Sequence, residues 1–142
     1  MQPLPAEQQQ QIIDAIKRAE MATSGEIRVH MEGPCPDGDP VTRAIAVFEH
    51  LGMHKTREQN GVLFYVALDD RKFAVVGDKG IDQRVPNDFW NGIKEEIRHH
   101  FAQGQYAEGL ARGIARAGEQ LKTYFPRLSD DTNELSDDIS YS

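Results

Sequence analysis

Asp69, Asp70, Asp78 and Asp82 fall within one short stretch, GVLFYVALDDRKFAVVGDKGIDQRVPNDFW from Gly61 to Trp90, each at a strand end or in a turn. Asn87 and Asp88 follow at the approach to a helix. Carboxylates so placed are free to bind a hard cation such as calcium or magnesium, or to satisfy turn backbone and nothing more. A calcium site takes about six to eight oxygens, several from carboxylates and the rest from carbonyls, amides or water. Asp70, Asp78, Asp82, Asn87 and Asp88 supply such a set if the hairpin turn and the next helix start meet at one sheet edge. Each also has an ordinary reading as a turn former or helix cap, and the D-x-x-x-D spacing of Asp78 and Asp82 is not an EF-hand loop.

Other chemistry finds less support in the sequence. No segment matches a P-loop, a DxDx(T/V) nucleophile loop or a Cys-x5-Arg loop. Cys35 lies among prolines with no basic residue beside it, so nothing activates its thiol. His50 and His54 are separated by Gly52, which should end the helix that would align them, and adjacent His99 and His100 point apart on a helix. GDKGID lacks the G-x-G-x-x-G spacing that brings backbone close to a pyrophosphate.

The acidic stretch is positioned by alternating helical and strand periods. Ile12, Ile13, Ile16 and Ala19 predict an amphipathic helix from Ala6 to Met21, ended by Ser24-Gly25. Glu26 to Glu32 alternates strictly and predicts a half-buried strand, with Ile27, Val29 and Met31 on one face and Arg28 and His30 on the other. After the loop GPCPDGDP, Asp39-Pro40 reads as an N-cap with proline at the first helical position. The helix it opens should run to about Leu51, burying Val41, Ile45 and Phe48, with Gly52 as its stop. Val62 to Leu68 is apolar on both faces and belongs in the middle of a sheet. Asp69-Asp70-Arg71 turns the chain back into a third strand, Lys72 to Gly77. A crossover helix favours a parallel pairing of the first two strands, so the sheet is mixed. Pro86-Asn87-Asp88 should open a third helix that buries Phe89, Ile93, Ile97 and Phe101. A last helix from Tyr106 buries Tyr106, Leu110, Ile114, Ala117, Leu121 and Phe125, and its Gly109, Gly113 and Gly118 are tolerable where they permit close packing.

Composition fits one soluble domain: 142 residues, 39% hydrophobic, one cysteine. The last fourteen residues, SDDTNELSDDISYS, hold five acids and no Lys or Arg, and so carry most of the net charge of −7. The nearly neutral body argues against a nucleic-acid partner. Residues 6–126 read as the folded domain and 127–142 as an acidic, disordered tail, on which Leu135, Ile139 and Tyr141 offer docking groups. MQPLPAEQQQ lacks the basic start and apolar run of a signal peptide, and no stretch has the length of a membrane span, so a cytoplasmic location is expected.

The element order, with SGEIRVH at the first strand, NGVLFYVALDDRKFAVVGDKGI over the hairpin and PNDFWNGIKEEI at the third helix, resembles the TPM domain family. The likeness covers about Gln10 to Phe125. It implies a Rossmann-like, three-layer α/β/α sandwich with a small mixed sheet and helices on both faces. It also implies a phosphatase-like activity or a module that binds calcium or a related divalent ion. The family's aspartate-arginine turn falls on Asp70 and Arg71, and its glycine-rich segment on Gly77 to Asp82. The chain departs where many relatives place an aspartate before the third helix, since it has Asn87 with Asp88 beside it. Relatives are also commonly exported or membrane-tethered, while no signal or anchor is present here.

The resemblance thus implies a non-catalytic binding module, in which calcium or magnesium orders the acidic loops. An unidentified protein partner, such as one in a membrane-associated complex, then reads that surface or the tail. Its rival is a metal-dependent acid phosphatase acting on phosphomonoesters, with Asp70 as ligand or base and Arg71 or Lys79 on the phosphate.

Overall fold

The computed structural model describes residues 4–36, 38–127 and 134–142. Its sheet is built around β2 (Gly61–Ala67), whose seven residues are all buried. That follows from an apolar run with no polar face: Val62, Phe64 and Val66 point one way, Leu63, Tyr65 and Ala67 the other, and both sides need cover. Burying such side chains stabilises by about 1.5–3 kcal/mol each, enough to make this strand the organising element.

Parallel to β2 lies β1 (Glu26–Glu32), in register from Glu26 opposite Gly61 to Glu32 opposite Ala67. Between them the chain crosses over through α2 (Pro40–His50). Antiparallel to β2 runs β3 (Lys72–Gly77), with Lys72 opposite Ala67 and Gly77 opposite Val62. A two-residue β4 (Ser140–Tyr141) pairs parallel to β1, giving the order β3-β2-β1-β4.

One face of the sheet packs on α1 (Ala6–Ala22), α4 (Asn91–Phe101) and α5 (Tyr106–Leu121), and the other on α2. These are the three layers of an α/β/α sandwich. The glycines of α5 sit where helices approach closely. A Cβ on Gly118 would lie 2.8 Å from Ala19 Cβ on α1, and one on Gly113 2.7 Å from Ile97 Cγ1 on α4.

Several local expectations are corrected. In α2 the buried stripe is Ala44, Val47 and Phe48, while Val41 and Ile45 are 51% and 48% exposed. Ile45 follows Ala44 by one residue, which turns it about 100° away from the sheet. Pro86-Asn87-Asp88 forms a turn rather than a helix start, because the Phe89 and Asn91 amides donate to the Pro86 and Asp88 carbonyls, and α4 opens only at Asn91. The short α3 (Lys79–Asp82) is an addition, capped by Asp78.

The tail is corrected as well. Glu134 to Ser142 lies along β1, with Ile139 buried in the main core and Leu135 packed against the core beneath α2. Asp130 and Asp131 lie outside the described residues. β1 is not half-buried: Glu26 and His30 meet this segment and Glu32 meets Arg43 of α2, so all three are buried although their face is polar. Among the described residues no helix is long and apolar enough to cross a membrane.

Candidate functional site

The antiparallel hairpin decides where the acidic residues go. Asp70 lies in the turn after β2, whereas Asp78 follows β3 and donates its backbone amide to the Gly61 carbonyl at 2.9 Å, at the start of β2. The two ends of a six-residue strand are about 20 Å apart at roughly 3.3 Å per residue. Asp70 and Asp78 therefore occupy opposite edges of the sheet. Asn87 and Asp88 lie in the turn before α4, and Asp88 lines a cleft of 280 Å³ with Phe89, Gln120 and Tyr124. The five sequence candidates do not converge on one point. Among the described residues, no group of three or more His, Cys, Asp or Glu side chains is arranged to hold a metal ion.

At the edge reached by the C-terminal ends of β1 and β2, Asp70, Lys72 and Glu32 each have a structural partner. Asp70 Oδ2 accepts the Cys35 amide at 2.8 Å, tying the hairpin turn to the loop after β1. Arg71 holds a positive φ of 54°, so this turn stores strain that glycine would not. Lys72 Nζ donates to the Gly38 carbonyl at 2.5 Å. Glu32 accepts two bonds from Arg43, at 2.8 and 3.0 Å, and one from the Tyr65 hydroxyl. Burial pushes the Glu32 carboxyl up, but these donors and the charge of Arg43 outweigh it and hold it below the ordinary glutamate range. Burial, then the bond to Glu32, raises the Tyr65 phenol, so it stays a donor. His30 stacks on Tyr65 and is kept neutral at ordinary pH, chiefly by burial.

The opposite edge is less complete. Asp78 Oδ1 caps α3 by accepting the Lys79 amide at 2.8 Å. Its other oxygen, Oδ2, is buried with no hydrogen-bond partner, although a buried carboxylate oxygen normally finds a donor. Asp82, one turn further on, is an exposed residue, yet its carboxyl is pushed above the ordinary aspartate range, first by partial burial and then by the charge of Asp78. Gly80, between them, lies so close to the Glu58 and Gln59 carbonyls that a Cβ would come within 2.3 and 2.6 Å of those oxygens. Asp78 with its orphaned oxygen and Asp82 with its raised carboxyl make the most cation-like pair among the five sequence candidates.

The sequence reading passed over other buried polar groups. Glu32 and Tyr65 were legible only through the register, which sets His30 beside Tyr65 on the face that carries Glu32. Glu20 did carry a signal, because it falls four residues after Ile16 on the apolar stripe of α1 and is buried there.

A mixed sheet sandwiched by helices, with a crossover between its parallel central strands and a hairpin returning to the edge, defines a Rossmann-like α/β/α protein. The family is defined more closely by sequence: the TPM domain model matches residues 2–120, and the chain belongs to the TPM domain family. Over its whole length it is similar to BA42 from the psychrophilic bacterium Bizionia argentinensis, at 46% identity and TM-score 0.93, with 99% of this chain and 97% of that one covered. The N-terminal domain of a P. gingivalis protein shares the fold at 22% identity and TM-score 0.69, covering 86% of this chain and 78% of that one. The N-terminal domain of a Corynebacterium glutamicum protein does so at 12% and 0.66, covering 96% and 79%. No curated protein matches the chain.

Proposed function

We propose that this chain is a non-catalytic TPM-type binding module that takes a divalent cation on Asp78 and Asp82, at the Gly61 end of the sheet, and presents the ordered edge to a protein partner. The observation that carries this reading is Asp78 Oδ2, buried without a donor beside a carboxyl whose ionisation Asp78 itself opposes. A cation would satisfy the orphaned oxygen and relieve the repulsion together. Two carboxylates suit magnesium, which commonly keeps several waters and takes one or two protein carboxylates, better than calcium, which wants about six to eight oxygens. Asp70, Asn87 and Asp88 fall outside this set.

Magnesium and calcium chloride titrated against the isotope-labelled protein should move the backbone amide signals of Asp78 to Asp82 and Gly61. Shifts confined to Asp69–Arg71, or none at all, would overturn the assignment. The phosphatase alternative makes a separate demand, turnover of a phosphomonoester that Asp70→Ala abolishes.

A further inference from the structure

The edge of β1 that faces away from β2 is closed by the C-terminal segment, and beneath that segment lie acids with too few donors. Glu20 on α1 and Glu26 at the start of β1 are 1% and 2% exposed. Glu20 Oε2 accepts the Ile27 amide at 3.1 Å, and Glu26 Oε1 accepts the Glu134 amide at 2.6 Å. Their remaining oxygens, Glu20 Oε1 and Glu26 Oε2, are buried with no partner, as is Asp137 Oδ1 from the segment itself. The Glu20 carboxyl is within hydrogen-bonding reach of both Asp137 and Glu26. Acceptors alone cannot bond one another, so a proton must sit among them.

We propose that Glu134–Ser142 is a proton-linked latch on the open edge of β1: the Glu20, Glu26 and Asp137 carboxyl groups share a proton while the segment is docked and release it to water when the segment lifts. Other contacts also hold the docked state: β4 pairs with β1, the Tyr141 hydroxyl donates to Gln9 Oε1 at 2.8 Å, and Leu135 packs on the core beneath α2. The Ser142 amide donates to the Met31 carbonyl at 3.0 Å, His30 Nδ1 and Nε2 meet the Ser140 and Ser142 hydroxyls at 2.7 and 2.8 Å, and Ile139 enters the core. Lifting would open Glu20 to water and remove Asp137, and would free backbone groups of β1 for pairing with another strand.

The direction of the linkage follows from the docked environment. Burial, then the bond to Asp137, pushes the Glu20 carboxyl up to about 10, and burial also raises Glu26. A group whose docked pKa exceeds its released pKa favours docking most at low pH. That advantage is lost as pH rises from the released toward the docked value, by up to about tenfold in the docking constant per pH unit for one proton. The window therefore spans neutral pH. Among the described residues, the charged groups acting on the cluster are Glu26 on β1 and Glu134 and Asp137 on the segment, while Arg127 donates to the Glu20 carbonyl. The acids oppose a second negative charge. His30, at the far end of the latch, has its pKa lowered and adds no titration above its ordinary value.

Hydrogen exchange of the C-terminal peptide in the full chain, corrected for intrinsic rate from about pH 6.5 to 8.5, reads the opening constant. In the wild type it should rise by about three- to tenfold per pH unit. In Glu20→Gln, which keeps a donor but cannot titrate, it should stay within about twofold over the window. Peptides from β2 should show no such slope. A flat wild type, an equal slope in Glu20→Gln, or the same slope in β2 peptides would each overturn the latch. If circular dichroism shows that Glu20→Gln fails to fold, Asp137→Asn takes its place: a reduced slope supports the proposal and an unchanged slope overturns it.

Discussion

Asp78→Asn separates a cation site from a plain helix cap, because asparagine caps a helix about as well as aspartate. Oδ1 would still accept the Lys79 amide, so α3 keeps its start. The change places an amide donor where Oδ2 is now orphaned and removes the charge that opposes ionisation of Asp82. The ion-free variant should therefore stay within about 1 kcal/mol of the wild type, because the cap is kept and a like charge beside Asp82 is removed. The ion response should go the other way. A ligand at tenfold over its dissociation constant stabilises the native state by about 1.4 kcal/mol, which for a domain of this size raises Tm by roughly 3–6 °C. Differential scanning calorimetry with magnesium chloride, against potassium chloride at matched ionic strength, measures this. The wild type should gain those degrees and Asp78→Asn less than about one. A wild-type Tm unmoved by saturating magnesium, or an equal gain in both proteins, refutes the reasoning. A variant more than about 1 kcal/mol less stable than the wild type without ion would show that Oδ2 has a donor after all.

Asp70→Ala should cost about 1 kcal/mol in urea denaturation, since the Cys35 amide loses its acceptor, while leaving the magnesium response intact; loss of that response would move the site to the other edge. Gly118→Ala should lower the urea midpoint. Parting α1 from α5 where the new Cβ would stand 2.8 Å from Ala19 Cβ costs about 1–3 kcal/mol, against about 1 kcal/mol or less gained by removing a helical glycine. Arg43→Ala should destabilise by about 1–2 kcal/mol at neutral pH, because the Arg43 end of the pair with Glu32 is partly exposed. The Glu32 carboxyl is held below its ordinary value, so this contribution is present above that value and lost as pH falls through the folded one. Circular dichroism melts of wild type and Arg43→Ala should accordingly converge on acidification below about pH 4.

The fold was legible because its signals were periodic and mutually consistent. β2 was identifiable from a run with no polar face, the crossover from Asp39-Pro40 and Gly52, and the helix contacts of α5 from its glycines. Local expectations failed where tertiary contact overrides pattern. Polar residues on alternate positions of β1 predict a solvated face, yet Glu26 and His30 are buried with partners from the C-terminal segment, and Glu32 with Arg43 of α2 and Tyr65 of β2. The aspartates of the tail predict disorder, whereas its apolar Leu135 and Ile139 are the local sign of docking, and both pack on the cores. Composition reports what a segment can bury, not which buried partner awaits it.

The candidate site illustrates a different limit, one of geometry rather than of information. That Lys72 to Gly77 returns antiparallel was itself readable from the sequence, and it forces the residues before and after it to opposite edges of the sheet. Asp70 and Asp78 flank β3 itself, so a shared ligand would have to span the length of that strand, about 20 Å. The acids therefore divide into two groups with different chemistry. Asp70 is bonded to a backbone amide and serves the loop it anchors, whereas Asp78 keeps an oxygen that the protein leaves unpartnered. Of the two, only the second has a reason in its own energetics to take a cation.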